Sequence, residues 1–188
     1  MRTPIFVSRP TPFLRSQIHF IDRINQILND DGFEPLTLGE RDNYTSENAL
    51  PGIRELMLKS NGIICVAFRR TFIEKGKQKP STSKESEIKE QWTTSPFCHI
   101  ETAMAYMLNL PTLILTEKGV LQEGVLEQNV TGFFSPNFDI NDASAEDYLE
   151  SNQWKNHYRE WKKQVYKHEN DENQTKLRVV LAGQVYRI

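Results

Sequence analysis

Apolar residues along the chain follow two patterns, which together predict alternating strands and helices. Short apolar runs without interruption, typical of strands buried on both faces of a sheet, lie at Ile5–Val7, Ile63–Phe68 and Pro111–Leu115. Weaker strand candidates are Glu34–Gly39 and Gly132–Phe134. Helical stretches separate these runs, so we expect a parallel sheet with right-handed crossovers and helices on both faces.

The predicted helices follow from apolar residues that recur every three or four positions. The first helix spans about Ser16–Asp30 and ends at Gly32, a natural C-terminal stop. A second passes through Leu50–Met57, a third covers Pro96–Asn109, and a short one is expected within Val120–Leu126. The chain therefore alternates strand and helix as far as residue 140, which we take as the end of one α/β domain.

A C-terminal extension over residues 141–188 has a different character, since its aromatic residues follow helical spacing on a strongly charged helix. The aromatic residues are Tyr148, Trp154, Tyr158 and Trp161, and Val165 follows at the same spacing. The stripe predicts a helix that packs on the domain, and the alternative is a surface for a partner. Glu169–Asn173 is a predicted hydrophilic break, after which Leu177–Ile188 fits either a strand or a helix.

A long polar stretch from Arg69 to Thr94 interrupts the alternation. Lys, Glu, Ser, Thr and Gln dominate it, and few apolar residues are present to anchor it. Such a composition predicts a mobile surface insertion.

Composition excludes several functional classes. The 188 residues carry 23 basic and 25 acidic side chains, a net charge of −2, so a nucleic-acid binder is not expected. No apolar run has the length of a signal peptide or a membrane span, which predicts a cytoplasmic protein without membrane contact. Cys65 and Cys98 are expected as buried thiols, and the four histidines lack metal-ligand spacing, so no metal site is predicted.

Candidate binding residues follow from the rule that parallel sheets bind ligands at the carboxyl ends of their strands. That edge contains the loop Ser8-Arg9-Pro10, the segment Gly39–Thr45 and the pair Phe68-Arg69. The helix that begins near Pro96 starts on the same side. Arg9 and Arg69 are the candidates for phosphate contact, because a guanidinium binds phosphate through two hydrogen bonds. The sequence contains neither a Gly-x-Gly-x-x-Gly nor a Walker-type phosphate loop.

Glu101 is the candidate catalytic residue, since it lies early in a helix that is otherwise apolar nearly all round. One interpretation places the carboxylate in solvent, where the helix dipole favours negative charge, and spacing alone favours that interpretation. The other is catalytic. Cleavage of a nicotinamide–ribose bond develops positive charge at the anomeric carbon, which a fixed carboxylate stabilises. Nicotinamide leaves as a neutral molecule, so one carboxylate is enough and no triad is needed.

Four segments in order resemble TIR domains: Ile5–Ser8, the helix that ends at Gly32, Ile63–Ala67, and Ser95–Glu101 followed by Ala105. The last is similar to the family signature Ser-x-Trp-Cys-x-x-Glu, with Phe97 in place of the tryptophan. The likeness covers about residues 4–126 and implies a flavodoxin-like parallel sheet flanked by helices. The same order of elements also resembles nucleoside 2-deoxyribosyltransferases, in which a glutamate on the matching helix is the nucleophile.

The TIR resemblance implies roles for particular residues. Glu101 takes the catalytic role, Ser8-Arg9 lies where the first loop contacts the nucleotide, and Gly39–Thr45 matches the loop that covers the site and mediates self-association. The complete predicted site adds these substrate-binding residues: Pro10, Arg41, Asp42, Phe68, Arg69, Phe97 and Cys98. No cofactor is implied, since NAD is the substrate.

Three functional hypotheses follow. The first is an NAD glycohydrolase or ADP-ribose cyclase that forms homo-oligomers and makes a signal for a separate effector in bacterial antiviral defence. The second is a nucleoside 2-deoxyribosyltransferase or nucleoside hydrolase, and the third is a non-catalytic TIR-like interaction module. Assays of nicotinamide release, of base exchange and of nucleotide-independent self-association would distinguish them.

Overall fold

The computed structural model describes residues 2–38, 49–128, 130, 133–134, 137–140 and 144–185, of which 133–134, 144–146 and 172–185 are described as backbone alone. The elements, in chain order, are β1 (Thr3–Ser8), α1 (Arg15–Asp30), β2 (Phe33–Leu36), α2 (Ala49–Lys59), β3 (Ile63–Ala67), β4 (Thr71–Gln78), β5 (Ser86–Thr93), α3 (Pro96–Met107), β6 (Thr112–Thr116), β7 (Phe133–Phe134), α4 (Ser144–Glu150) and α5 (Asn152–Val185). A single 3-10 turn at Gly124–Leu126 stands where a short helix was predicted.

Five strands form one parallel sheet in the order β2-β1-β3-β6-β7. Without the separate hairpin β4-β5, this is the strand order 2-1-3-4-5 of flavodoxin-like folds. The prediction of a parallel α/β sheet flanked by helices, with a helix at the C-terminus, is therefore confirmed. From β1 the chain adds β2 on one side and then β3 on the other side of the sheet. This change of direction places a topological switch point at the carboxyl ends of β1 and β3.

Helices cover both faces of the sheet, which explains why its central strands are apolar at every position. Ile5, Val7 and Ile64 point toward α1 and α5. Phe6 and Ile63 lie on the other face, where α2 and α3 pack. Successive side chains of a strand point to opposite faces, and here both faces are covered by helices. These strands therefore lack the alternation of apolar and polar residues that a half-exposed strand shows.

The segment Arg69–Thr94 forms a regular antiparallel hairpin, and the mobility that its composition suggests stays a prediction. β4 and β5 pair over eight residues each, with Phe72 opposite Trp92 and their rings 4.9 Å apart. Most side chains on both of its faces are exposed, so the hairpin lacks the alternating pattern that identifies a strand packed on a core. Cross-strand pairs and backbone hydrogen bonds form it instead.

The aromatic stripe of α5 belongs to the main core, and the alternative of a partner surface is contradicted. Trp154 and Trp161 are almost fully buried with Tyr158, and the indole of Trp161 donates a 3.0 Å hydrogen bond to the carbonyl of Pro111. Gly62 makes this approach possible, since a Cβ there would lie 2.8 Å from the Val165 side chain. Tyr148, predicted on the same helix, belongs to α4.

The predicted break at Glu169–Asn173 was also wrong, because α5 continues through it to Val185. The division of the chain at residue 140 stays a prediction. Within the part of the chain that the structure describes, no helix is both long and apolar enough to cross a membrane.

Candidate active site

An open cleft of about 460 Å³ lies at the carboxyl ends of β1 and β2, beside the start of α3. This is the edge that the switch point selects, and the volume suits a small organic ligand. Its lining includes Arg9, Pro10, Thr37, Arg70, Phe97 and Glu101.

Glu101 lies in the second turn of α3 and borders the cleft, although only 7% of its surface is exposed. The solvent-facing interpretation is therefore wrong. Ser8, the last residue of β1, donates a hydrogen bond from its hydroxyl to Oε2 of Glu101. Burial raises the pKa of Glu101 to about 7, while the Ser8 hydrogen bond and the charge of Arg9 act in the opposite direction. The carboxylate is thus held in a poorly solvated position beside the cleft.

The N-terminus of α3 fixes the direction in which Glu101 points. Ser95 is the N-cap and its hydroxyl accepts a hydrogen bond from the backbone N–H of Phe97, with Pro96 in the first turn. Cys98, Thr102 and Ala105 are buried against the sheet together with Glu101. The helix therefore turns a carboxylate inward at the point where its first turns pass the end of β1.

Arg9 is a half-buried cation whose charge acts on this carboxylate. Burial lowers the pKa of the Arg9 guanidinium, and the charges of Asp22 and Glu101 counteract that effect. Since the guanidinium also lines the cleft, it lies where a ligand beside Glu101 would meet it.

Gln17, which the sequence did not single out, holds the first loop in place. Its side chain is fully buried, and its Oε1 accepts hydrogen bonds from the backbone N–H groups of Phe13 (3.0 Å) and Leu14 (3.3 Å). Its Nε2 donates to the carbonyl of Arg69 at 3.3 Å. One amide therefore ties the loop after β1 to the segment after β3.

The structure brings four predicted residues to the cleft and one next to it. Glu101, Arg9, Pro10 and Phe97 line it, whereas Ser8 lies behind the surface, where it contacts Glu101. Phe97 is 41% exposed, so a large aromatic face is available at the mouth.

Three other predicted residues do not line the cleft. Phe68 is fully buried on the opposite face of the sheet, with its ring edge-on to Phe20 at 6.0 Å. Cys98 is buried, and its pKa is raised well above the ordinary value by a hydrogen bond with Cys65 and by burial. Both cysteines are free buried thiols, as predicted.

Arg69 is the third predicted residue that does not line the cleft, and it makes its contacts at the base of the hairpin instead. Its Nε lies 3.6 Å from the carboxylate of the buried Glu117 and donates a 2.6 Å hydrogen bond to the carbonyl of Lys118. Its backbone N–H donates to the same carboxylate at 2.8 Å. Gly119, with φ +90°, leaves the space that the guanidinium fills. The sequence does not distinguish this arginine from its neighbour Arg70, which does line the cleft.

Arg41 and Asp42, with the whole segment Gly39–Thr45, lie outside the described residues. Their assignment stays a prediction. Thr37, just before that segment, was missed by sequence reasoning. It lines the cleft and its hydroxyl donates a 3.0 Å hydrogen bond to the carbonyl of Val7. Because Thr37 directly follows β2, its position at the carboxyl end of a strand could have identified it as a candidate binding residue.

No group of three or more His, Cys, Asp or Glu side chains suited to a metal ion occurs among the described residues. The donors that the cleft presents there are guanidinium and hydroxyl groups with one carboxylate, a set suited to an anionic or sugar ligand rather than a metal.

Comparisons with known proteins show similarity at the level of structure. No protein-family model and no curated protein sequence matches the chain. A structure of Clostridium botulinum CMP N-glycosidase, BcmB, has 11% identity and a TM-score of 0.47, over 79% of this chain and 96% of that one. A conserved protein from Enterococcus faecalis V583 has 15% identity and a TM-score of 0.43, over 80% and 96%. Likeness at this level leaves the activity of the chain open.

Proposed function

We propose that the protein cleaves the N-glycosidic bond of a nucleotide and that Glu101 is its catalytic residue. The observation that carries the proposal is the buried Glu101 carboxylate at the edge of the cleft, oriented by Ser8 and with its pKa raised to about 7. Strongly perturbed carboxylates in a cleft at a switch point are typical of catalytic sites.

NAD is the substrate that we place first, because of its leaving group. When the bond between the nicotinamide nitrogen and C1′ breaks, the bonding electrons remain on the nitrogen and neutralise the pyridinium ring. C1′ becomes an oxocarbenium-like centre, which ionised Glu101 stabilises. Water then bonds to C1′ and releases a proton, which gives ADP-ribose. A nucleophile within the same molecule gives the cyclic product instead.

The cleft residues support a mechanism without a separate general acid. Among the described residues that line it, Glu101 is the only carboxylate. Arg9 places a positive charge near it, which favours the ionised form that the reaction needs. Nicotinamide requires no proton to leave, so this set of groups is sufficient for its departure.

Incubation with NAD and chromatographic analysis of nicotinamide and the ribosyl product tests the proposal, at several protein concentrations because self-association is part of it. Glu101→Gln is expected to reduce nicotinamide release at least a hundredfold with an unchanged circular dichroism spectrum. The matched control is Glu169→Gln. Glu169 accepts a hydrogen bond from the hydroxyl of Thr3 at the opposite end of β1, as Glu101 accepts one from the hydroxyl of Ser8. The control therefore changes the same kind of carboxylate–hydroxyl bond far from the cleft. Retained turnover in Glu101→Gln would remove Glu101 from the catalytic role.

Deoxyribosyl transfer or nucleoside hydrolysis is the second candidate, favoured by the closeness of the Glu101 carboxylate to the cleft. In this reaction the carboxylate attacks C1′ while the base leaves with the electron pair of the glycosidic bond, which gives a covalent ribosyl ester, and an incoming base or water then displaces the carboxylate from C1′. Base exchange between deoxynucleosides, without turnover of NAD, would select this reaction. CMP, after which the C. botulinum N-glycosidase is named, belongs in the same panel of substrates.

The biological setting proposed with this activity is bacterial antiviral defence, with the ribosyl product acting on a separate effector. Homo-oligomers of this chain would be the active form. Product identification comes first, because linear and cyclic ADP-ribose would address different effectors.

A further inference from the structure

Two neighbouring arginines at the end of β3 have different surroundings. Arg69 is bound to Glu117 and to the backbone at the base of the hairpin. Arg70 is exposed and lines the cleft, where its Nη1 makes a long contact of 3.5 Å with the hydroxyl of Ser95. Among the described side chains, no carboxylate forms an ion pair with Arg70.

The backbone of Arg70 is nevertheless well fixed. Its N–H donates a 3.0 Å hydrogen bond to the carbonyl of Thr93, where the hairpin closes. The Arg69–Glu117 pair and the hydrogen bond from Gln17 to Arg69 hold the residue just before it. A charged side chain therefore projects from a hydrogen-bonded backbone beside the cleft, so that ligand binding has to order the side chain alone.

The charges around the cleft favour an anionic ligand. Its described lining contributes two guanidiniums, Arg9 and Arg70, and one carboxylate, Glu101, whose pKa is near neutrality. The charge of Arg9 is offset by its interaction with Glu101. The positive charge of Arg70 is therefore the one that is not offset within the described lining. Ser95, the N-cap of α3, adds a hydroxyl next to Arg70.

The spacing along α3 can accommodate a phosphorylated ribose. Ser95 and Glu101 are six residues apart, which corresponds to about 9 Å along the helix axis. Five covalent bonds separate C1′ from the 5′ phosphorus, a shorter span than this rise, and the contacts of Glu101 at C1′ and of Ser95 and Arg70 at the phosphate account for the remainder. We propose that Arg70 binds a phosphate on the 5′ oxygen of the ribose that reacts, and so selects nucleotides over nucleosides. This inference rests on the proposed function and narrows its substrate class.

Three compounds with the same scissile bond and leaving group test the proposal: nicotinamide riboside, nicotinamide mononucleotide and NAD. The wild-type protein is expected to prefer either phosphorylated compound to the riboside by tenfold or more in kcat/KM. Arg70→Ala should reduce this preference about tenfold to a hundredfold, as for other charge-assisted hydrogen bonds, because turnover of the phosphorylated compounds falls much more than turnover of the riboside. Arg70→Lys should retain part of it.

The control is Lys75→Ala, which removes an exposed cation from the same hairpin outside the cleft. It should leave the preference for phosphorylated substrates unchanged. An equal loss of turnover on the riboside and on both phosphorylated compounds in Arg70→Ala would overturn the proposal, as would a wild-type protein without preference.

A binding measurement separates this inference from the proposed reaction. Calorimetric titration of Glu101→Gln protein with AMP and with adenosine needs no turnover. Tighter binding of AMP that disappears in the double variant with Arg70→Ala would support the phosphate site even if no nicotinamide compound is cleaved. Equal binding of AMP and adenosine would overturn the phosphate site, whatever the wild-type protein cleaves.

Discussion

Ser8 and Glu101 are 93 positions apart in the chain, and their side chains are joined by a buried hydrogen bond between the end of β1 and the second turn of α3. The bond connects the sheet edge to the carboxylate that is proposed to react. It also lowers the pKa of Glu101 against the effect of burial. The Ser8 hydroxyl therefore contributes both to the orientation and to the ionisation of the carboxylate.

Activity should depend on pH through the ionisation of Glu101. The ionised form stabilises the ribosyl cation, and the pKa of the group is raised to about 7. We expect kcat/KM for NAD to rise about tenfold per pH unit below 7 and to level off above it. Steady-state rates between pH 5 and 9 measure this. A profile that is flat across pH 7 would contradict the assignment.

Ser8→Ala should move this profile toward higher pH. Without the hydroxyl, the Glu101 pKa loses a contribution that lowers it, so the alkaline plateau is reached later and turnover at neutral pH falls. The matched control is Thr3→Ala, which removes a hydroxyl–carboxylate bond to Glu169 from the other end of β1. A loss of rate with an unshifted profile would show that Ser8 acts on position alone.

Glu101→Gln should stabilise the protein at high pH. The folded pKa, about 7, lies above the ordinary value of 4.5, so ionisation of Glu101 disfavours the folded state. This cost is absent below pH 4.5, grows between pH 4.5 and 7, and is constant above pH 7, where it reaches about 3 kcal/mol. Urea unfolding of both proteins at pH 4.5 and 8 measures it. An equal difference in stability at the two pH values would contradict the raised pKa.

Removal of Arg69 should destabilise the fold. Glu117 is 2% exposed, and burial raises its pKa while Arg69 acts to lower it. Arg69→Met leaves that carboxyl without its cation, at an expected cost of about 3 kcal/mol. In Arg69→Met/Glu117→Gln the loss should be smaller, because no buried charge stays behind. Chemical denaturation of the wild type, the two single variants Arg69→Met and Glu117→Gln, and the double variant gives a double-mutant cycle. Additive effects of the two substitutions on the free energy of unfolding would show that the pair is not coupled.

Trp161→Ala should cost about 3–5 kcal/mol, as for other large aromatic residues removed from a core. The same packing predicts that residues 1–140 alone do not fold cooperatively, because α5 covers one face of the sheet. Thermal unfolding of the variant and of the truncated chain tests both statements. A stable truncated chain would show that the domain ends near residue 140 after all.

The central sheet was predictable because its strands are covered on both faces. Ile63–Ala67 is apolar at each position for this reason, and glycine and proline residues mark the ends of neighbouring elements. The hairpin was not predictable in the same way, since cross-strand pairing leaves no periodic trace in an exposed strand. The position of the hairpin on the domain depends on contacts at its base between residues that are distant in sequence, such as Arg69 and Glu117.

The candidate site was predictable in part, for a related reason. Position at the sheet edge identified Arg9 and Pro10. Glu101 was identified by its place in an apolar helix at the same edge together with the resemblance of Ser95–Glu101 to the TIR signature. The choice between Arg69 and Arg70 depends on which side chain faces Glu117, and adjacent residues of one type give no sequence signal for that. Gln17 was missed because a buried amide that bonds to loop backbone resembles any polar residue in a helix.

The burial of two tryptophans of α5 against the sheet gives the protein optical reporters of its own. Of the three indoles in the chain, Trp154 and Trp161 are buried in the core, whereas Trp92 is half-buried in the hairpin, with the Arg69 guanidinium 5.9 Å from its ring. Core emission should be blue-shifted and resistant to aqueous quenchers, and that of Trp92 should be accessible to them. Light can therefore report hairpin motion and global unfolding separately, without an attached dye.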